Sequence, residues 1–357
     1  MKEAKPIPCL ICLLLLQVLW FFATGCSEPD KTPPPAPEAA RPAETPPPVE
    51  VEPAIAPAEL EGLIARLADE DEDEQAAAVY ALGQLGASAG PAADSLTDLL
   101  SSKTSVAHPE TGRQIVLGDL TVEALGRIGA PALPALFRHI ARFDLGVQSE
   151  LRRSGLAVGA IGEEAVQPSI EFLELIAQAP GQSDHVKFSS MRFAMESIGA
   201  PAVPALCDRL MSSEHAAVRQ FAVDALFRIR DDRAIPCLIR ALSDEDRLVR
   251  GATAGRFGHF EDPRIGPALL AYAFGDDPAA PRRGAIQSLG RTGDRSAAPE
   301  LLRLLDDPDV RSATVEALGR LGYEPAVEPL LAYIHDDALF LRRKVYIARH
   351  NTTSRCR

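Results

Sequence analysis

One phrase recurs along most of this 357-residue chain. Val122 to Leu136 reads VEALGRIGAPALPAL, Phe193 to Leu206 reads FAMESIGAPAVPAL, and Val315 to Leu331 reads VEALGRLGYEPAVEPLL. Val79 to Gly86 (VYALGQLG) and Ile286 to Gly293 (IQSLGRTG) are shorter copies. The second glycine, or the residue in its place, falls at Gly86, Gly129, Gly162, Gly199, Arg230, Glu261, Gly293 and Gly322. Most intervals are 29–33 residues, and two are longer, at 43 and 37. Such a period marks an array in which each unit buries its apolar face only against the next copy.

The unit beginning at Asp306 shows the physics. Asp307 is placed to cap a helix, and Pro308 fits a first turn. Ala313, Val315, Ala317, Leu318 and Leu321 lie at helical spacing. Gly319 thins this helix where a neighbour approaches, and Gly322 ends it by taking positive φ. Pro325 opens a second helix with Val327, Leu330, Leu331 and Ile334 on its apolar face, and Asp336 and Asp337 close the cycle. The pattern predicts an all-α fold of eight helix pairs, with a flanking helix at Glu59–Ala68 and a last one near Ala338–His350. At about 8–10 Å between helices, the array should extend roughly 80 Å.

The pattern V-R-x-x-A-x-x-A-L-G-x-x-G, followed by a P-x-L helix, resembles the HEAT-like repeats of phycobilisome lyases. These are short-period members of the HEAT and armadillo group. The resemblance spans about residues 59–350 and implies an armadillo-type α-solenoid. It transfers a fold, not the lyase activity.

The beginning of the chain carries an address. Lys2 and Lys5 precede an apolar run from Cys9 to Phe22, interrupted only by Gln17. That run is shorter than the roughly 20 residues a membrane-spanning helix needs, and reads as an export signal. Ala23-Thr24-Gly25-Cys26 resembles the bacterial lipobox, although Ala23 stands where leucine is usual. The resemblance implies a leader over residues 1–25, removed by cleavage, with diacylglycerol on the Cys26 sulfur and an acylated new amino terminus. Ser27 favours the outer membrane, with the folded part periplasmic or extracellular. Cys9 and Cys12 form a C-x-x-C that would leave with the leader. Eleven prolines lie between Pro29 and Pro57, so residues 26–58 are expected to be an anchored, extended tether, and residues 351–357 a polar tail.

Composition narrows function. A net charge of −13 argues against binding a phosphate backbone, and 5% aromatics with a single Trp argue against a base-stacking module, so no nucleic-acid partner is expected. There is no P-loop, dinucleotide fingerprint or H-E-x-x-H, so no metal or cofactor is expected. The His-Glu pairs through which the HEAT-like deoxyhypusine hydroxylases hold iron are absent. Gly86 to Gly90 matches G-x-S-x-G, but a nucleophile elbow needs a preceding strand, and no sheet is expected. Cys207 and Cys237 fall on apolar helix stretches and are expected to be buried thiols rather than a bridge.

Two arginine series remain. Arg127, Arg228, Arg291 and Arg320 follow the Leu-Gly position, with His259 in register, while Gln84, Ala160 and Ser197 break the series. They could form a basic stripe for an acidic peptide or anionic glycan; they also suit the carbonyl end of a helix. Arg219, Arg250, Arg282 and Arg311 open the first helices and suit pairing with acids in the adjoining unit. Longer loops at Ser101–Arg113 and Ala179–His185 offer further contact surface. The chain ends on residues that depart from the repeat, which suits either a polar cap or an array cut short. The expected function is a lipid-anchored scaffold that grips a protein partner with a shallow surface of second helices, without catalysis. The alternative is an accessory, lyase-like subunit that holds a client protein for modification.

Overall fold

The computed structural model describes residues 56–142, 148–179, 181 and 184–332. The leader, Cys26, nearly all of the proline tether, Cys356, the expected last helix and the tail lie outside them. Among the described residues are seventeen α-helices. Helix α1 (Pro57–Arg66) stands first, with Pro57 at the position where a helix accepts proline. The others make eight pairs: α2 (Glu72–Gln84) with α3 (Ala93–Leu99), α4 (Leu117–Ile128) with α5 (Leu133–Ala141), α6 (Gln148–Ile161) with α7 (Val166–Gln178), and α8 (Asp184–Ile198) with α9 (Val203–Ser212). Then follow α10 (Ala216–Ile229) with α11 (Ile235–Ala241), α12 (Arg247–Ala254) with α13 (Ile265–Ala273), α14 (Ala279–Thr292) with α15 (Ala298–Arg303), and α16 (Arg311–Leu321) with α17 (Val327–Leu331). The eight expected pairs are therefore present.

Within each unit a short 3-10 turn joins the helices, and its alanine is buried at Ala132, Ala165, Ala202, Ala234, Ala297 and Ala326. Seven of the eight turn positions have positive φ, including Arg230 at 57°. The exception is Glu261. There α12 stops at Ala254, and a 3-10 turn, Phe257–His259, takes over. Phe257 is fully buried, with its ring 5.3 Å from that of Phe227 and 6.4 Å from that of Phe260. Seating these rings sets the early break.

Neighbouring first helices touch at the first glycine of the phrase. A Cβ on Gly83 would lie 2.9 Å from the Cα of Ala124, one on Gly126 2.6 Å from the Cβ of Ala160, and one on Gly290 2.8 Å from the Cα of Ala317. Backbones this close exclude any side chain, which is why the phrase repeats a glycine there.

Three expectations need correction. The insertion near residue 101 is not a plain loop: β1 (Ser105–Ala107) pairs antiparallel with β2 (Gln114–Val116), Val106 opposite Ile115. Val106 is buried, and Gly112 turns the hairpin at a φ of 67°. Tyr80 of α2 donates a hydrogen bond to Glu110 at 2.8 Å, so the hairpin docks on the array. Second, Cys207 on α9 and Cys237 on α11 form a disulfide, with Cα atoms 5.6 Å apart. Their separation of 30 residues equals one repeat, so stacking places them side by side. Third, Asp307 does not cap α16; its carboxylate accepts from Arg282 and from the backbone N–H of Asp309.

Candidate functional site

Three of the four last-turn arginines lean toward the preceding first helix. The Arg127 guanidinium sits 5.6 Å over the Tyr80 ring, and Arg228 pairs with Glu196 at 3.5 Å. Arg291 donates to the carbonyl of Gly255 at 3.4 Å, while Arg320 pairs within its own helix with Glu316 at 2.6 Å. His259 does not join this edge in a last turn: it is exposed in the 3-10 turn after α12. Arg256 takes the place instead, paired with Asp224 of α10. The signal was in the sequence. Ala254-Gly255-Arg256-Phe257-Gly258 is a copy of the phrase that ends three residues before Glu261, the position the repeat interval picked out.

The helix-opening arginines form a second ladder with a different geometry. Arg219 donates two hydrogen bonds of 2.9 Å to Asp244, in the loop after its own unit, and one of 2.9 Å to the carbonyl of Ser213, in the loop before it. Arg250 donates to Asp277 at 2.9 and 2.6 Å and back to the carbonyl of Asp244 at 2.7 Å. Arg282 reaches Asp307 at 2.7 Å and the carbonyl of Ala273 at 2.8 Å, and Arg311 reaches the carbonyl of Leu305 at 2.7 Å. The Arg219, Arg250 and Arg282 guanidiniums thus each tie one inter-unit loop to the next. The Arg250 hydrogen bond holds the Asp277 carboxyl below its usual range, and Arg282 does the same to Asp307. Burial beside this ladder pushes the Tyr272 hydroxyl up to about 12.

The second helices carry a different surface. Between α5 and α7 lies a groove of about 440 Å³ lined by Pro134, Phe137, Pro168, Phe172 and Leu175, with Arg138 and Glu171 at its margin. The Phe137 and Phe172 rings stack at 4.7 Å with their planes 10° apart. Leu175 is 64% exposed. Arg138 is engaged by Asp94 at 2.7 Å, so the groove presents mainly ring and methyl surface.

Ser88, the serine of the G-x-S-x-G match, is exposed in a 3-10 turn between α2 and α3 rather than after a strand. Among the described residues no group of three or more His, Cys, Asp or Glu side chains is arranged to hold a metal ion, and no helix is long and apolar enough to cross a membrane.

Part of the array matches a known repeat family. The HEAT-repeat family model matches residues 203–278 and 266–348. The described residues form an α-solenoid, and the stretch from 203 to 348 matches HEAT repeats. Its solenoid resembles human deoxyhypusine hydroxylase in complex with glycerol, at 18% identity and a TM-score of 0.31, over 74% of this chain and 97% of that one. It also resembles the complex of CpcE and CpcF of phycocyanin lyase from Nostoc sp. PCC7120, at 19% identity and 0.28, over 80% and 100%. The karyopherin Kap121p, bound to the extreme C-terminus of the protein phosphatase Cdc14p, is similar at 11% identity and 0.46, over 85% of this chain and 42% of that one. No curated protein sequence matches significantly. Likeness at this level concerns the fold, and activity has to be argued from the site.

Proposed function

We propose that this HEAT-repeat solenoid is a scaffold of the bacterial envelope, tethered through lipid on Cys26, that holds a protein partner without catalysing a reaction. The observation that carries the holding surface is the groove of stacked Phe137 and Phe172 beside the exposed Leu175. Apolar surface of this kind, rimmed by charged residues, suits an apolar segment of another protein. Export is supported by the basic start, the short apolar run and Gly25-Cys26, and by the Cys207–Cys237 disulfide, a bond that persists in oxidising compartments. Arg127, Arg228 and Arg291, leaning on the preceding unit, serve as braces in this reading. Charge reversal at Arg228 and Arg291 is then expected to cost stability and leave partner binding unchanged.

Proximity labelling from the tethered protein, with Cys26→Ala as the unanchored control, tests the proposal. The expected result is a short set of envelope proteins lost both in Cys26→Ala and in a folded Phe172→Glu, Leu175→Glu variant. Labelling unaffected by the groove substitutions would remove the groove from the account. Turnover of a modified client by the purified protein would favour the accessory-subunit alternative.

A further inference from the structure

The first-helix layer has one junction unlike the rest. Six of the eight first helices contain glycine; α8 and α10, adjacent to each other, contain none. Glu196 and Phe227 occupy the positions of the first glycine there. The contrast with the preceding junction is sharp: a Cβ on Gly155 of α6 would stand 2.1 Å from the carbonyl oxygen of Ser190 on α8. Between α8 and α10, Phe188 and Phe221 meet edge to face at 5.9 Å, and a cavity of about 420 Å³ opens. That volume falls in the range of small-ligand sites. On the second-helix side of the same two units, the Cys207–Cys237 bridge ties α9 to α11 and fixes the spacing.

The cavity is lined by Phe188, Arg192, Phe221 and Asp224, with Ser189 and Gln220 between them and Asp184 and His185 at the start of α8. Its charges do not balance. Three guanidiniums (Arg192, Arg228 and Arg256) stand near Glu196 and Asp224, while a third carboxylate on the cavity wall, Asp184, is engaged by Lys187 at 3.4 Å and by the backbone N–H of Gly181 at 2.6 Å. Glu196 is engaged by Arg228 at 3.5 Å, and Asp224 by Arg256. Arg192 is left to lie 5.4 Å from the Phe193 ring, and its buried Nε has no hydrogen-bond partner among the described residues. Burial, and then the nearby Arg228, pull its pKa down, as for a cation short of compensation.

We propose that this cavity binds a carboxylate carried on an apolar body. The carboxylate would lie on the Arg192 fork, with Ser189 and Gln220 as further donors and the apolar group against Phe188 and Phe221. A guanidinium matches the planar pair of carboxylate oxygens. A phosphate fits less well, because one arginine supplies few donors for three oxygens and Asp224 repels a second negative charge. The site is independent of the second-helix groove. The same chemistry is offered by a small aromatic acid and by the carboxyl end of a peptide finishing in an apolar residue.

Calorimetric titration of the folded protein with N-acetylphenylalanine, its amide, phenyl phosphate and the tetrapeptide Ala-Ala-Ala-Phe tests this. Both carboxylates should bind, and the amide should bind roughly 10–100-fold more weakly, the loss expected for one charge-assisted bond. A tetrapeptide tighter than the single residue assigns the site to a peptide end; equal affinities assign it to a small acid. Arg192→Gln should abolish the acid-over-amide preference while its thermal melt stays cooperative, and Arg228→Gln should keep the preference. Equal binding of acid and amide, no saturable binding at millimolar ligand, or tighter binding of phenyl phosphate would each overturn the proposal, and none of these readings needs a variant to fold.

Discussion

Replacing Asp244 by asparagine isolates what the helix-opening ladder contributes. The Asp244 and Arg219 side chains are each only 6% exposed and share two hydrogen bonds of 2.9 Å. The substitution preserves shape but leaves the Arg219 guanidinium buried, with Glu245, itself 83% exposed, as its remaining counter-ion. Removing one partner of a buried pair costs about 3–5 kcal/mol. The residual contact at 3.0 Å to Glu245 places the expected loss at the low end, about 3 kcal/mol. For a chain this size that lowers the melting temperature by roughly 5–10 °C. The double variant Arg219→Met, Asp244→Leu removes both charges and should lie within about 1 kcal/mol of the parent, because most of the single-variant penalty is an uncompensated buried charge. The exposed pair Arg303–Glu300, with side chains 71% and 51% exposed, is the control; breaking it should cost under about 0.5 kcal/mol. Urea denaturation followed by circular dichroism reads all three, and hydrogen exchange should locate the Asp244→Asn loosening in α10 to α12. An Asp244→Asn loss no larger than the control's would refute the reasoning.

Glycine substitutions should separate crowding from backbone strain. Gly155→Ala drives a methyl into the Ser190 carbonyl and should cost about 3 kcal/mol, whereas Gly293→Ala, at a φ of 74° with open space around it, should cost about 1–2 kcal/mol; equal losses in urea melts would contradict this. Loss of the disulfide through Cys207→Ser and Cys237→Ser should destabilise by about 3 kcal/mol, and reductant should lower the parent's melting temperature but not the variant's. Acid should weaken the array through Asp277 and Asp307. Their folded carboxyls titrate below the unfolded value of about 4, so their stabilisation is complete above that pH and is lost as pH falls through the lower folded values. The Asp277→Asn, Asp307→Asn variant should show a flatter acid limb in pH-dependent melts; an acid limb as steep as the parent's would count against the assignment.

The eight pairs, their glycine turns and the close approach at Gly83, Gly126 and Gly290 were legible because the same local rule is written many times. One copy of Ala-Leu-Gly-x-x-Gly is weak evidence, but its return at one period leaves few folds that bury every apolar face. Prolines near the starts of the second helices and glycines after the first are read within a few residues, without knowledge of neighbours. The expectation for Asp307 was met only in part for the complementary reason: one carboxylate oxygen accepts from the Asp309 N–H in the turn before α16, but the other is held by Arg282, 25 residues away, and neither caps the helix itself. His259 was misplaced because the seating of Phe257 against Phe227 broke α12 early, which a fixed count along the chain does not register.

By itself, then, the sequence determined the repeating unit, its period and the number of units, since these follow from apolar spacing and from residues with special backbone freedom. Tertiary structure alone decided what happens between units. It set the pairing of Cys207 with Cys237, the loop-to-loop span of Arg219 and the opening between α8 and α10 beside Arg192. Those features depend on distances across a stacked interface, which no single unit encodes.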